Sequence, residues 1–358
     1  MEGREFDAQV VLSPKDSPLG VVLDRYVCVR IVRMDDVDIG LFDRDWNNAI
    51  YFFVLNANER IYMRYGGRES QSPDTYNSLD SLRVALEHGL SLHQQYLQGR
   101  LPRQERPKPL FPREMPLLVA RTFAQRQCVE CHLIGDFQNI QRERDGALNK
   151  LTHLYRSPDI KTIGVFLDVP KGLVVKETTG AAAAAGMKPG DRISSWNGVP
   201  VWTFGDVQYR YDQVDRQAKT LKIGIDRNGQ PVDLTIQLPP RWWWTDLRFR
   251  QSSVEPRTDF EDRPMTAEEK GRLGLKPDGL GSQVTYIASM TKVRGTHELQ
   301  VGDVIAAVNG VESDAMANTG NLYLKLYMKA GESATVDVIR NGKRITMPIH
   351  TYILSFRK

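Results

Sequence analysis

The sequence predicts a multidomain α+β protein, on three observations. A stretch near the middle of the chain recurs near its end. The first hundred residues read as strands followed by one long amphipathic helix. A short cysteine-bearing helical segment lies between these regions. At 358 residues the chain exceeds what one hydrophobic core supports and suits two or three domains. Hydrophobic residues at 41% and charged residues at 26% are the balance of an ordinary globular protein. The net charge of +4 is too slight to argue for nucleic acid. No apolar run is long enough to cross a bilayer, and "MEGREFDAQVV" lacks the basic-then-apolar pattern of a signal peptide. Three cysteines exclude a disulfide scaffold.

Taken in order, "RYVCVRIVRM" reads as a β-branched strand with Cys28 as a buried structural thiol. "AIYFFVLNANERIYMRYGG" reads as two strands joined by an Asn-Ala-Asn turn. In "SLDSLRVALEHGLSLHQQYLQ", Leu79, Leu82, Leu86, Leu90 and Leu97 step by threes and fours onto one helical face with His93, and Ser78 is placed to cap it. Strand, short connection, hairpin and terminal helix resemble the tail of a thioredoxin-like fold over residues 1–100. The family's first strand and its Cys-x-x-Cys are missing. "MEGREFDAQVVLSPKDS" resembles the distal part of the helix that carries that motif, and "DWNNAI" lacks the proline expected before the following strand. With the domains described below, the chain resembles a bacterial family that joins a thioredoxin-like domain to PDZ domains, some of whose members carry selenocysteine. The resemblance implies a reading frame that starts internally, with the redox residue just upstream of Met1. It implies a relative of thiol–disulfide oxidoreductases without the active-site pair. The competing reading is a degenerate domain that keeps the fold and has lost the chemistry.

Residues 101–158 form a linker and a helical segment. "LPRQERPKPLFPREMP" reads as an extended wrap. After it comes "CVECH", with Cys128, Cys131 and His132. Leu133, Phe137 and Ile140 share a helical face after the motif, and Leu148, Leu151, Leu154 and Tyr155 suggest a second short helix ended at Ser157-Pro158. "CVECHLIG" resembles the attachment segment of c-type cytochromes, which implies haem c on both cysteines with His132 as the proximal iron ligand. His153, His93 or Met115 would supply the distal ligand, with His153 favoured. Three alternatives stand beside haem. One is a zinc ion among Cys128, Cys131, His132 and His153, although adjacent Cys and His ligands are unusual geometry. Another is a redox pair at a helix start. The last is a structural disulfide or idle thiols.

The repeat covers residues 159–240 and 241–358. Gly190-Asp191 precedes Asn197-Gly198 by the step that separates Gly302-Asp303 from Asn309-Gly310, and each copy continues through a helix and a strand to an Arg-Asn-Gly turn. Asn-Gly between alternating apolar residues is a two-residue hairpin signal. "IGVFLDVPKGLVVKETTGAAAAAGMKPGDRISSWNGVPV" resembles a PDZ domain of the bacterial, HtrA-like type, and "MTAEEKGRLGLKPDGLGSQVTYI" through "GDVIAAVNG" resembles the same family. The family implies small barrel-like sandwiches with two helices each, and peptide capture by strand addition. The matching carboxylate-binding loop is Thr162, Ile163, Gly164, Val165 and Phe166, where the glycine would let amides converge on a carboxylate. In the second copy the nearest match, Thr245 to Arg250, has no glycine. "RWWW", Arg241 to Trp244, reads as an aromatic cage or partner surface or, more plainly, as rings that cement the two copies.

No Ser-His-Asp order, no phosphate loop and no basic patch interleaved with aromatics is present. The expected function is an exported redox or electron-transfer adaptor. Its cysteine segment would handle haem or electrons, and its first PDZ copy would recruit a protein or peptide. The alternative is a non-catalytic PDZ scaffold with structural cysteines. The periplasmic expectation comes from the family and the motif.

Overall fold

Ser17 and Pro18 start the first well-capped helix: the Ser17 hydroxyl accepts the Gly20 N–H, and Pro18 sits where a missing N–H costs nothing. This is α2 (Pro18–Leu23), which follows α1 (Glu2–Val11). The structure, a computed structural model, describes residues 2–48, 50–69, 72, 74–125, 127, 129–245 and 252–353. Strands β1 (Tyr51–Leu55) and β2 (Ile61–Gly66) pair antiparallel around the expected turn, which Glu59 completes at φ +58°. Helix α3 (Leu79–Leu97) buries Leu82, Ala85, Leu86, Gly89 and Leu92. With Phe6, Leu19, Val22, Val54, Met63 and Tyr65 they build a small core. Leu97 is exposed, because the last turn runs past that core. Ser78 makes no side-chain cap; the Tyr65 hydroxyl accepts its N–H at 2.8 Å and donates to its carbonyl at 2.7 Å instead.

The expectation for "RYVCVRIVRM" is overturned. Residues 25–34 form no strand, Val27 and Val29 are 92% and 78% exposed, and Cys28 is exposed rather than buried. β-Branched residues favour extension but make a strand only where a ladder partner exists, and the described sheet here contains β1 and β2 alone. A thioredoxin-like sheet is not seen among the described residues.

Residues 101–111 wrap as expected. Ile39 donates to the Leu110 carbonyl at 2.8 Å, and Leu110 donates to Asp38 at 3.1 Å. Helices α4 (Pro116–Arg121), α5 (Cys131–Arg144) and the single turn α6 (Lys150–His153) follow. The buried stripe of α5 is Ile134, Phe137 and Ile140. Gly135 lets the helix approach the Trp46 indole, since a Cβ there would lie 3.0 Å from the ring.

The first repeat comprises β3 (Val165–Leu167), β4 (Val175–Thr178), α7 (Gly180–Ala184), β5 (Arg192–Trp196), β6 (Val199–Pro200), α8 (Phe204–Asp212), β7 (Thr220–Arg227) and β8 (Gln230–Gln237). Its sheets run β3-β4 and β6-β5-β7-β8. Trp196 packs edge-on against Tyr211, and Trp242 stacks on the other side of Tyr211. Trp243 meets Tyr155. Trp242 and Trp243 are both buried, against Tyr211 and Tyr155.

The second repeat comprises β9 (Phe260–Pro264), α9 (Ala267–Arg272), β10 (Ser282–Ile287), α10 (Thr291–Arg294), β11 (Val304–Val308), α11 (Gly320–Tyr327), β12 (Ser333–Arg340) and β13 (Lys343–His350), in one sheet ordered β13-β12-β11-β10-β9. Both Asn-Gly pairs of each copy adopt the left-handed conformation the hairpin reading requires: φ is 51° and 79° at Asn197-Gly198 and 50° and 76° at Asn309-Gly310. The chain divides into two compact units, Met1–Gln141 with Leu151–Arg250, and Arg142–Lys150 with Gln251–Lys358. The N-terminal region and the first repeat therefore share a unit, and the second repeat lies in the other.

Candidate functional site

Asp159 begins the loop by accepting the Lys161 N–H at 3.0 Å on its side chain. A short 3-10 turn, Ile160–Ile163, follows and ends at Gly164 with φ +84°. Only glycine suits that position, because a Cβ would lie 2.0 Å from the Thr179 carbonyl oxygen as well as sitting in the left-handed region. Thr179 donates to the Gly164 carbonyl at 2.8 Å, which fixes the side of β3 that faces β4. By strand alternation Val165 turns its backbone groups to the opposite edge, and among the described residues no strand pairs there. The Thr203 side chain caps α8, and the Tyr211 hydroxyl of that helix lies 3.2 Å from the Thr162 hydroxyl. Phe166 is half-buried, and Ile163 and Val165 are buried.

Two of the loop's amides are bonded within the loop itself. Thr162 donates to the Asp159 carbonyl at 3.0 Å and Gly164 to the Lys161 carbonyl at 3.0 Å, so the loop's donors close its own turns. The capping Asp159 nucleates that turn and turns those N–H groups away from a ligand.

The hairpin side of the same unit covers this end of the groove. The Tyr76 ring stacks on Phe204 at 3.4 Å, and its hydroxyl donates to Asp159 at 3.0 Å. Glu69 pairs with Lys161. Gln208 holds the Arg68 backbone at both ends, accepting its N–H at 3.1 Å and donating to its carbonyl at 2.8 Å. Arg64 donates to Asp206 at 2.9 Å, and its carbonyl accepts the Thr203 hydroxyl. Burial pushes the Asp206 carboxyl up to about 6, and burial likewise raises Asp159. Tyr76 and Phe204 also line one wall of a cavity of about 320 Å³ that reaches Leu167. None of these hairpin contacts was read from sequence. Arg64, Gly67, Arg68 and Tyr76 are ordinary hairpin and turn residues until the fold brings them to α8.

In the second copy, of the expected loop Thr245–Arg250 only Thr245 lies among the described residues. The structural counterpart of Gly164 is Asp259. Its φ is +57°, its carbonyl accepts the Ala288 N–H at 2.8 Å as Gly164 accepts that of Thr179, and β9 begins directly after it. The Asp259 carboxylate is held by Arg294 at 2.9 Å and by the Tyr352 hydroxyl at 3.1 Å. A carboxylate in that place disfavours a ligand carboxylate.

Of the cysteine motif, Cys128 lies outside the described residues. Cys131 is the first residue of α5, half-buried, with its sulfur 3.1 Å from Arg44 Nη2. His132 pairs with Glu130 at 3.3 Å. Among the described residues no group of three His, Cys, Asp or Glu side chains is gathered to hold a metal, so Cys131, His132 and His153 are not brought together as ligands. Of the other distal candidates, His93 is bonded to the Tyr62 hydroxyl and Met115 is buried. A haem needs an apolar wall, and the stripe on α5 that would supply one is already 0–6% exposed in the packed unit. The described residues do not fit that group.

No family model matches the chain. Over 126 residues, 35% of this chain and 25% of the relative, it is 34% identical to the periplasmic pH-dependent serine endoprotease DegQ of Escherichia coli (strain K12). Two solved structures of the HtrA-type protease AlgW are similar. The one with a decapeptide is 17% identical over 38% of this chain and 56% of that one, with a TM-score of 0.23. The one with a tripeptide is 16% identical over 51% and 60%, with a TM-score of 0.25. The chain thus spans a quarter of the length of DegQ and little more than half of either AlgW chain. The likeness to DegQ supports PDZ-type domains in this protein. No helix of the described residues is long and apolar enough to cross a membrane.

Proposed function

We propose that the chain is a non-catalytic docking scaffold whose first PDZ-type copy takes an extended stretch of a partner polypeptide along β3. One observation carries this: among the described residues β3 is paired on a single edge. Strand addition at such an edge gives affinity through backbone hydrogen bonds and specificity through alternate side chains. The second copy, with Asp259 at the loop, serves as a structural companion. Endoprotease activity stays with DegQ, since the sequence offers no Ser-His-Asp order of its own. An exported compartment goes with this reading, in keeping with the periplasmic DegQ.

The test is amide hydrogen exchange on the full chain with decapeptides selected from a displayed library. Binding should protect the Val165 amide and leave Phe260 unchanged. Selected peptides that protect neither, or protect only the second copy, would remove the proposal.

A further inference from the structure

The shape of the groove says which part of a partner it reads, an inference that rests on the docking reading above. We infer that the first copy takes an internal stretch of its partner and reads it by a large apolar side chain flanked by an acidic residue, rather than by a free C-terminal carboxylate.

The loop end is closed to an anion. The Thr162 and Gly164 amides are spent inside the 3-10 turn. The Tyr76 ring fills the space over Phe204. The carboxylates of Asp159 and Glu69 lie at this loop, bonded to the Tyr76 hydroxyl and to Lys161. A further negative charge beside these two carboxylates, with Lys161 and the Tyr76 hydroxyl already engaged by them, raises the cost of binding.

The far end is open. The cavity beside Leu167 measures about 320 Å³. That is on the order of ten times a water molecule's share of liquid volume, and the size at which ligand pockets begin. Its walls are apolar on both sides: Leu173 and Ile193 from the repeat, Val84 from α3, and the Trp202 indole, which lies against His88 at 4.0 Å. A strand laid along β3 sends alternate side chains to one face, so a residue paired opposite Leu167 points at this space. The rim carries two cations, Lys171 and Arg192, both exposed, with Asp168 the one acid paired to Lys171. The surplus positive charge suits an Asp or Glu next to the apolar residue.

The experiment titrates the full chain with fluorescein-labelled decapeptides read by anisotropy. One set carries a central Phe or Leu beside Glu and is amidated. A second replaces the apolar residue by Ala. A third ends at the apolar residue with a free carboxylate. The first set should bind about tenfold more tightly than either of the others. Val84→Trp, on a partly exposed helical position, and Val169→Trp, on the opposite wall, should each fill the cavity and weaken the first set by a similar factor with an unchanged melting temperature. Tightest binding by the free-acid set, or affinity untouched by both tryptophans, overturns the inference and leaves the docking reading standing. A chain that binds none of the three sets, and whose Val165 amide no peptide protects, overturns both.

Discussion

Asp191 and Arg227 meet in a two-pronged ion pair, Oδ1 to Nε and Oδ2 to Nη2, both at 2.8 Å, and Asp303 and Arg340 repeat it at 2.7 Å for each prong. Each aspartate also accepts a backbone N–H at 2.8 Å, from Lys188 and from Gln300, and each arginine reaches one further carbonyl, of Gly186 and of Glu298. The pair ties the Gly-Asp turn to the hairpin that ends two strands later. Arginine serves because its planar fork matches both carboxylate oxygens. The aspartates are 2% exposed, so truncating either leaves an arginine and a backbone donor unsatisfied beside a core strand. Asp191→Ala and Asp303→Ala should each cost on the order of 2 kcal/mol, in urea titrations followed by amide exchange. The loss should fall on the unit that carries the change. A loss shared by both units, or below about 0.5 kcal/mol as for an exposed pair, would mean the bond is ornamental.

Gly164 and Gly229 share a left-handed backbone, φ +84° and +81°, but not an environment. At Gly229 an added Cβ would meet nothing within 4 Å, whereas at Gly164 it would run into the Thr179 carbonyl. Gly229→Ala should cost about 1 kcal/mol, the ordinary penalty for an L-residue there. Gly164→Ala should cost about 3 kcal/mol, strain and overpacking together, and should also loosen the β3 edge. Thermal melts of the two variants make the comparison. Equal losses would show that the close approach to Thr179 yields at little cost.

These relationships mark how far the sequence could be read. The Asn-Gly hairpins, the Gly-Asp turns and the long helix α3 are local statements: one residue type, one backbone conformation, one period. The hairpins kept their backbone, down to the positive φ at Asn228 and Asn341, and α3 kept its span but not its Ser78 side-chain cap or the burial of Leu97. The ion pairs were half visible, since Asp191 lies in one noted motif and Arg227 in another, but pairing joins residues 36 positions apart and needs the fold. One expectation failed, and the carboxylate loop shows the same dependence on tertiary structure. "RYVCVRIV" has strand composition, and Gly164 has loop composition, yet a strand requires a neighbour and an anion cup requires spare amides. Neighbours and spare donors are properties of tertiary structure. The counterpart of Gly164 in the second copy was missed because the helix-bearing insertion, α9, falls between β9 and β10 and shifts the spacing.

Cys28 gives a direct check on the exposed segment. Its side chain is exposed, while the Cys131 sulfur is half-buried against Arg44. In a reduced Cys128→Ser background, Ellman's reagent should modify Cys28 faster than Cys131, and adding Cys28→Ser should abolish the fast phase without altering the melting temperature. A slow reaction at Cys28, or a stability loss in the serine variant, would restore the buried strand.

Two buried groups in the first unit pull its stability in opposite directions with pH. Burial raises Asp206 from 3.8 to about 6, against the pull of its bonds to the Arg64 and Trp202 amides. The folded state therefore holds that proton more tightly than the unfolded chain. The stabilisation is complete below 3.8 and is lost as pH rises through about 6. His88 goes the other way. Burial lowers it from 6.5, so the unfolded chain holds the proton more tightly, and stability present above 6.5 is lost as pH falls through the lowered value. Asp206→Asn removes the first effect alone, since the amide does not titrate. The stability difference between wild type and variant should shift in favour of the variant by about 2 kcal/mol from pH 4 to pH 6, with a few tenths more by pH 7. It should then stay flat to pH 8, while both proteins keep the acid loss due to His88. Urea titrations at intervals across that range measure it, and parallel wild-type and variant curves would place the Asp206 carboxyl in an environment no different from water.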